Sequence, residues 1–304
     1  QYLHPAQYPP PKAAASMKRA LEAAPAAPCG RFPTKKLPFT MEEYAERLVL
    51  TRERMGQEHV DLLVLTDPED IYYLTAHQTV GAPQVQALMV PAAATEEMYL
   101  VTRRLEETNA EHRSLLRHYT SYADFESGVD LVIQTIRARS GHCSVIGLQF
   151  QTKRLSPAQF QALAGAFASD GRRLVDCSRL VGELRLIKSP AEIEAIRIAA
   201  TYCAAGVRAA QTHARPGMTE AEVSGLVYAA MMRLGCEYPA YPPFVAAGRN
   251  ACLGHYTGAQ DALRPNETLF LEIGGCYKRY HAAMMRTCFI GDAVPPELED
   301  AATA

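Results

Sequence analysis

Residues 183–211 read ELRLIKSPAEIEAIRIAATYCAAGVRAAQ, and this stretch divides the chain. Ser189, Pro190 and Glu192 supply an N-cap hydroxyl, a first-turn proline and a capping-box acid in turn. Proline loses little there, because the first helical N–H has no intrahelical partner, and the acid can reach back to the cap N–H. Ile193, Ile196, Ala200, Cys203 and Val207 then recur at helical spacing, which predicts a long, well-packed helix from residue 190.

Upstream, Thr40-Met-Glu-Glu43 forms a capping box that predicts a helix to about residue 57. Apolar runs at 59–66, 70–75, 85–91 and 97–104 read as buried strands. A helical pattern covers 124–139, a strand 144–149, a helix opens at Ser156-Pro157, and a last strand covers 173–177. This alternation predicts an α/β layer domain over residues 39–182. Residues 1–38 are rich in Pro and Ala, with Glu22 as their one acid, and read as a disordered tail, with a transit peptide as the alternative. Downstream, ARPGM at 214–218 breaks the long helix, Thr219 and Glu222 cap a second one running toward Gly235, and strands are predicted at 241–247 and 268–290.

A chain of 304 residues is long enough for two domains. Its net charge of −2 argues against nucleic acid or an anionic membrane surface as partner and favours small solutes or other proteins. No apolar run is long enough to span a bilayer, so a soluble, cytoplasmic protein is expected. The eight cysteines are scattered singly, as reduced, packed thiols would be. The chain begins with Gln1 and ends on an acidic, Pro-led segment that looks like the start of a helix, as expected for a fragment of a longer protein.

Two residues stand out chemically. His255 lies in GRNACLGHYTG (248–258), a Gly-flanked loop suited either to a functional imidazole or to a hydrogen-bonded surface histidine. Glu272 interrupts the apolar run LFLEIGG (269–275), where a buried carboxylate needs a partner. Lys278, Arg279 or Arg286 could pair with it structurally, or the carboxylate could be functional. No phosphate loop, nucleophile elbow or Cys-His pattern is present.

Taken together, YYLT (72–75), LRLIKSPAEIEAIR (184–197), GRNACLGHY (248–256) and the hairpin ending in Arg286-Thr287 resemble the creatinase, prolidase and aminopeptidase P family, the pita-bread hydrolases. The likeness spans roughly residues 40–300. It implies an α/β creatinase-type N-terminal domain followed by an incomplete α+β pita-bread catalytic domain, residues 183–304, and a homodimer. Metallopeptidases of this family hold two divalent cations with two hairpin aspartates and with a histidine and two glutamates from the second half of the domain. The positions matching the two aspartates are Glu272 and Ala283, and a methyl group cannot ligate. The resemblance therefore implies a metal-free branch with no cofactor.

Such branches include creatinase and the ectoine hydrolases, which cleave C–N bonds at amidine-like carbons, and EIGGCYKRYHAAMMRT (272–287) resembles the ectoine hydrolase hairpin. By that likeness Glu272 attacks the amidine carbon or positions the water that does, and His255 moves protons. Tyr280, His281 and Arg286 would shape or brace the substrate site, with His281 on the face of Ala283 if the second strand alternates. The loop AHQTVGAPQVQ (76–86) departs from the aromatic residues of the ectoine enzymes, which bears on substrate identity. The fragment alone is expected to be inactive. The alternatives are an Xaa-Pro dipeptidase or aminopeptidase that needs metal, and a non-catalytic pita-bread module that binds peptides or histones.

Overall fold

A computed structural model of the chain describes residues 37–81, 84–258 and 260–303, so the tail reading of residues 1–38 lies almost wholly outside it. The first half is built on a mixed six-stranded sheet in the order β4-β3-β2-β1-β5-β6. Its strands are β1 (Leu62–Leu65), β2 (Ala87–Pro91), β3 (Tyr99–Arg103), β4 (His118–Tyr122), β5 (Val145–Leu148) and β6 (Arg173–Asp176). β1 and β2 pair antiparallel, as do β2 and β3, and the remaining pairs are parallel.

Strand periodicity divides the interior into two cores, one on each face of this sheet. Leu62, Val64, Met89 and Val101 face α4 (Gly128–Arg139) and α5 (Pro157–Ser169). Leu63, Leu65, Val90 and Leu100 face the opposite way, toward α1 (Met41–Gln57), α2 (Pro68–Thr75) and α6 (Leu180–Leu184). Because both faces are covered, the strands read as continuous apolar runs.

Residues 70–75, predicted as a strand, form most of α2. Pro68 occupies its first turn beside Glu69 and Asp70, a helix-start pattern that outweighs the aromatic strand-like run. A short helix, α3 (Glu107–Arg113), and the edge strand β4 lacked a strong apolar period and were not anticipated.

The second half packs α7 (Pro190–His213) and α8 (Glu220–Arg233) against a three-stranded antiparallel sheet of β7 (Phe244–Ala247), β8 (Glu267–Tyr277) and β9 (Tyr280–Ile290). Ser189 and Thr219 form full capping boxes with Glu192 and Glu222. The chain continues into α9 (Pro296–Thr303). Cys203 and Val207 of the expected stripe are buried, but toward the start of α7 the buried side is rotated: Ile193 is exposed, while Ala195 and Ala199 face inward, as do Gly206 and Ala210 further along. Close approach explains the preference for small residues. A Cβ on Gly275 would lie 2.2 Å from the carbonyl oxygen of Ala199, so β8 meets the helix backbone directly.

The two halves are clamped at Arg47. Buried on α1, it donates to the carbonyl of Tyr73 at 3.0 Å and reaches Glu43 at 3.0 Å and Glu192 at 3.5 Å, sandwiched by the rings of Phe39 and Tyr73. Glu43 therefore does not complete the capping box read at Thr40; its carboxylate is drawn to Arg47 and to the Ser189 hydroxyl. Among the described residues, no helix is long and apolar enough to cross a membrane.

Candidate active site

The hairpin β8–β9 presents two unlike faces. Leu269, Leu271 and Ile273 enter the core under α7, and the alternate residues, Glu272 and Gly274, occupy the open face. Register sets Glu272 opposite Met285 on β9 and opposite Phe244 on β7, while Gly274 faces Ala283. The turn is closed by Lys278 (φ 50°) and Arg279 (φ 59°), both left-handed as a two-residue hairpin turn requires. Glu237 steadies it by accepting from the backbone N–H of Lys278 at 2.9 Å and of Arg279 at 3.2 Å.

Glu272 is half-buried rather than buried, and among the described residues it has no ion-pair partner. The three cations that the sequence offered are engaged elsewhere. Arg279 pairs with Glu237 at 3.4 Å, Lys278 lies over the Phe39 and Tyr277 rings, and Arg286 donates to the Met285 carbonyl at 2.6 Å.

Around this free carboxylate stand aromatic rings. Tyr241 lies over Gly274, where an added Cβ would come within 3.3 Å of its ring, and stacks on Phe244 with centroids 5.5 Å apart and planes 9° apart. Partial burial pushes the Tyr241 phenol up, and the charge of Glu272 adds to the shift. His255 stacks on Phe244 at 5.7 Å, so the structure gathers His255 and Glu272 around one ring. Sequence reasoning missed Tyr241 and Phe244, because their relation to Glu272 exists only in the β7–β8 register.

His255 sits in a left-handed conformation (φ 54°) on the loop after β7. A buried network holds that loop. Glu220 is fully buried, and its Oε1 accepts from the Ala247 N–H at 2.8 Å and from Asn250 Nδ2 at 3.0 Å. Asn250 also reaches the Tyr256 hydroxyl and the Asp261 carboxylate. Glu220 too was missed: in the sequence it reads as a first-turn acid of the helix that Thr219 caps.

The remaining sequence candidates separate. His281 shares the face of Glu272 and Ala283, as alternation predicts. Desolvation, then the charge of Arg279, hold its imidazole below the usual range. Tyr280 points the other way: its hydroxyl donates to Glu192 and its ring meets Phe39 edge-on at 5.5 Å, so it braces the junction between the halves. Arg286 lies opposite Leu271, on the helix-facing side of the hairpin, and so turns away from Glu272. Of the residues read as shaping or bracing the site, strand parity thus puts Tyr280 and Arg286 on the face opposite Glu272.

The family model for the creatinase/prolidase N-terminal domain matches residues 47–187, and that for metallopeptidase family M24 matches residues 194–304. The chain is 30% identical over 274 residues to the ectoine hydrolase of Halomonas elongata, covering 84% of this chain and 67% of that protein. Over 114 residues it is 34% identical to the Xaa-Pro aminopeptidase of Escherichia coli, covering 38% of this chain and 26% of that one. In fold it resembles the X-Pro aminopeptidase of Thermotoga maritima, with a TM-score of 0.73 at 20% identity over 85% of this chain and 68% of that one. It also resembles the prolidase of Pyrococcus horikoshii, with a TM-score of 0.70 at 18% identity over 84% and 67%.

The family's metallopeptidases imply a metal centre, and the donors on the hairpin do not fit one. The cross-strand neighbours of Glu272 are Phe244 and Met285, and Ala283 offers a methyl group. Among the described residues, no group of three or more His, Cys, Asp or Glu side chains is placed to hold a metal ion.

Proposed function

This chain belongs to the M24 family of creatinase-, prolidase- and aminopeptidase P-type hydrolases, and within it we propose a metal-independent hydrolase of a C–N bond in a small amidine- or guanidine-type solute, with ring opening of ectoine as the leading case. One observation carries the reading: among the described residues Glu272 is a carboxylate without an ion-pair partner, with Phe244 as its cross-strand partner and Tyr241 over the neighbouring Gly274. Such a site suits a planar, delocalised cation, which gains charge attraction from the carboxylate and about 0.5–2 kcal/mol from the ring quadrupoles. The likeness to ectoine hydrolase supports the same class of substrate.

In this reading Glu272 takes a proton from the water that adds to the amidinium carbon, or adds to that carbon itself and is displaced by water after the C–N bond has broken. The carbon becomes tetrahedral, a C–N bond breaks, and His255 delivers a proton to the departing nitrogen. Hydrolysis leaves an amide and an amine.

The test is proton NMR of ectoine incubated with the full-length protein, with and without EDTA. Ring opening that persists in EDTA and disappears in Glu272→Gln supports the reading; absence of ring opening removes ectoine as substrate. A second reading, Xaa-Pro peptidase activity, is favoured by the likeness to solved peptidases and to the Escherichia coli aminopeptidase. It predicts cleavage of an Xaa-Pro dipeptide that EDTA abolishes.

A further inference from the structure

A second region carries chemistry that Glu272 does not use. Between the two halves of the chain lies a cleft of about 820 Å³ whose lining includes four cations, Arg154, Arg185, Lys188 and Arg279. Two of them are neutralised, Arg185 by Asp70 at 2.7 Å and Arg279 by Glu237 at 3.4 Å. Arg154 makes no ion pair among the described residues, and Lys188 reaches only the carbonyl of Leu186, at 3.2 Å. Of the two lining carboxylates, Glu192 is occupied by Arg47, the Ser189 N–H and the Tyr280 hydroxyl, which leaves the exposed Glu69.

The cleft tyrosines have spent their polar ends or face a cation. Tyr72 donates to the Lys278 carbonyl at 2.7 Å, Tyr280 donates to Glu192, and Tyr238 lies 3.9 Å beneath the Arg279 guanidinium. They offer the cleft mostly ring surface. His281, whose imidazole burial holds below the usual range, adds a hydrogen-bonding group.

We propose that this cleft binds a small organic carboxylate, held by Arg154 and Lys188 with its carbon skeleton against the Tyr72 and Tyr238 rings. A guanidinium matches the two oxygens of a carboxylate in a planar fork, and an ammonium adds a mobile point charge. The walls come from both halves of the chain and are tied together by the Tyr72–Lys278 and Tyr280–Glu192 bonds, so the site is formed before ligand arrives. The proposal stands apart from the reading of Glu272.

Calorimetric titration of the full chain at low salt tests it, with sodium N-acetylglycinate as probe and N-acetylglycinamide as neutral control. The carboxylate is expected to bind and the amide not. Arg154→Ala with Lys188→Ala should weaken the carboxylate by about tenfold or more, while Glu272→Gln leaves it unchanged. Among the described residues both substituted side chains lack ion-pair partners, and circular dichroism of the double variant checks that the fold survives. Equal binding of the amide, carboxylate affinity that survives loss of both cations, or no binding by the unaltered chain overturns the proposal. Loss of binding on Glu272→Gln alone would move the carboxylate to the hairpin and overturn it as well. None of these readouts depends on turnover, so they are independent of the fate of the hydrolase reading.

Discussion

Phe244 on β7 and Glu272 on β8 are direct cross-strand partners, and the face of Phe244 carries His255 at 5.7 Å. Carboxylate and imidazole are thus spaced by an aromatic ring rather than bonded to each other. Replacing Phe244 with Leu keeps an apolar residue but removes the quadrupole and the surface on which His255 stacks. A loss of about 1 kcal/mol of cation attraction is expected, raising KM about fivefold for an amidinium substrate. Steady-state kinetics against a neutral analogue checks it: an equal rise for the neutral compound would show that charge is not what the ring reads.

Glu220 should matter to His255 without touching substrate. Its truncation to Ala leaves the Ala247 N–H without its buried acceptor and removes one of the three acceptors around Asn250 Nδ2, which should cost about 1–3 kcal/mol in stability. Because the loop bearing His255 then loosens, kcat is expected to fall about tenfold to a hundredfold with KM little changed. Urea titration and kinetics on the same preparation separate the two effects.

Gly275→Ala places a methyl carbon 2.2 Å from a backbone oxygen of α7 that cannot swing aside. A destabilisation of at least about 1–3 kcal/mol follows, seen as a lower urea midpoint. Gly165 on α5, where an added Cβ meets nothing within 4 Å, is the control. Its change to Ala should be neutral or stabilising.

Arg47→Ala removes a buried cation that serves Glu43, Glu192 and the Tyr73 carbonyl together. About 3–5 kcal/mol is expected, because two carboxylates lose their counter-charge. If the clamp couples the halves, two thermal transitions should replace one in calorimetry; a single, lower transition would show that other contacts suffice.

Acid should destabilise the fold through His77. The ring is 1% exposed, and desolvation holds its pKa below the usual imidazole value, while the charge of Glu106 opposes the shift. The unfolded chain therefore binds the proton more readily than the folded one, so stability is full above the ordinary imidazole pKa and is lost as pH falls through and below it. The slope from this site is at most about 1.4 kcal/mol per pH unit. Denaturant midpoints between pH 7.5 and 5.5 should show this decline, and His77→Gln should flatten it.

Local chemistry was legible in the sequence. The caps at Ser156, Ser189 and Thr219 are full capping boxes, because a hydroxyl and an acid or amide three residues apart need only each other and the helix start. The box at Thr40 is half-formed, since Arg47 and Ser189 compete in space for the same carboxylate. The run at 70–75 was misread because a stretch buried on all sides shows no period to distinguish helix from strand.

The sequence by itself determined the family and two residues of the candidate site, Glu272 and His255, through motifs that are contiguous along the chain. Which groups surround them was decided by tertiary structure. Strand register set Phe244 against Glu272 and turned Arg286 away, and helix contact set Glu220 beneath the His255 loop. The same packing engaged the three nearby cations elsewhere and left the carboxylate unpaired. A one-residue slip in register would exchange the two faces of the hairpin, and no local pattern encodes which non-local pairing prevails.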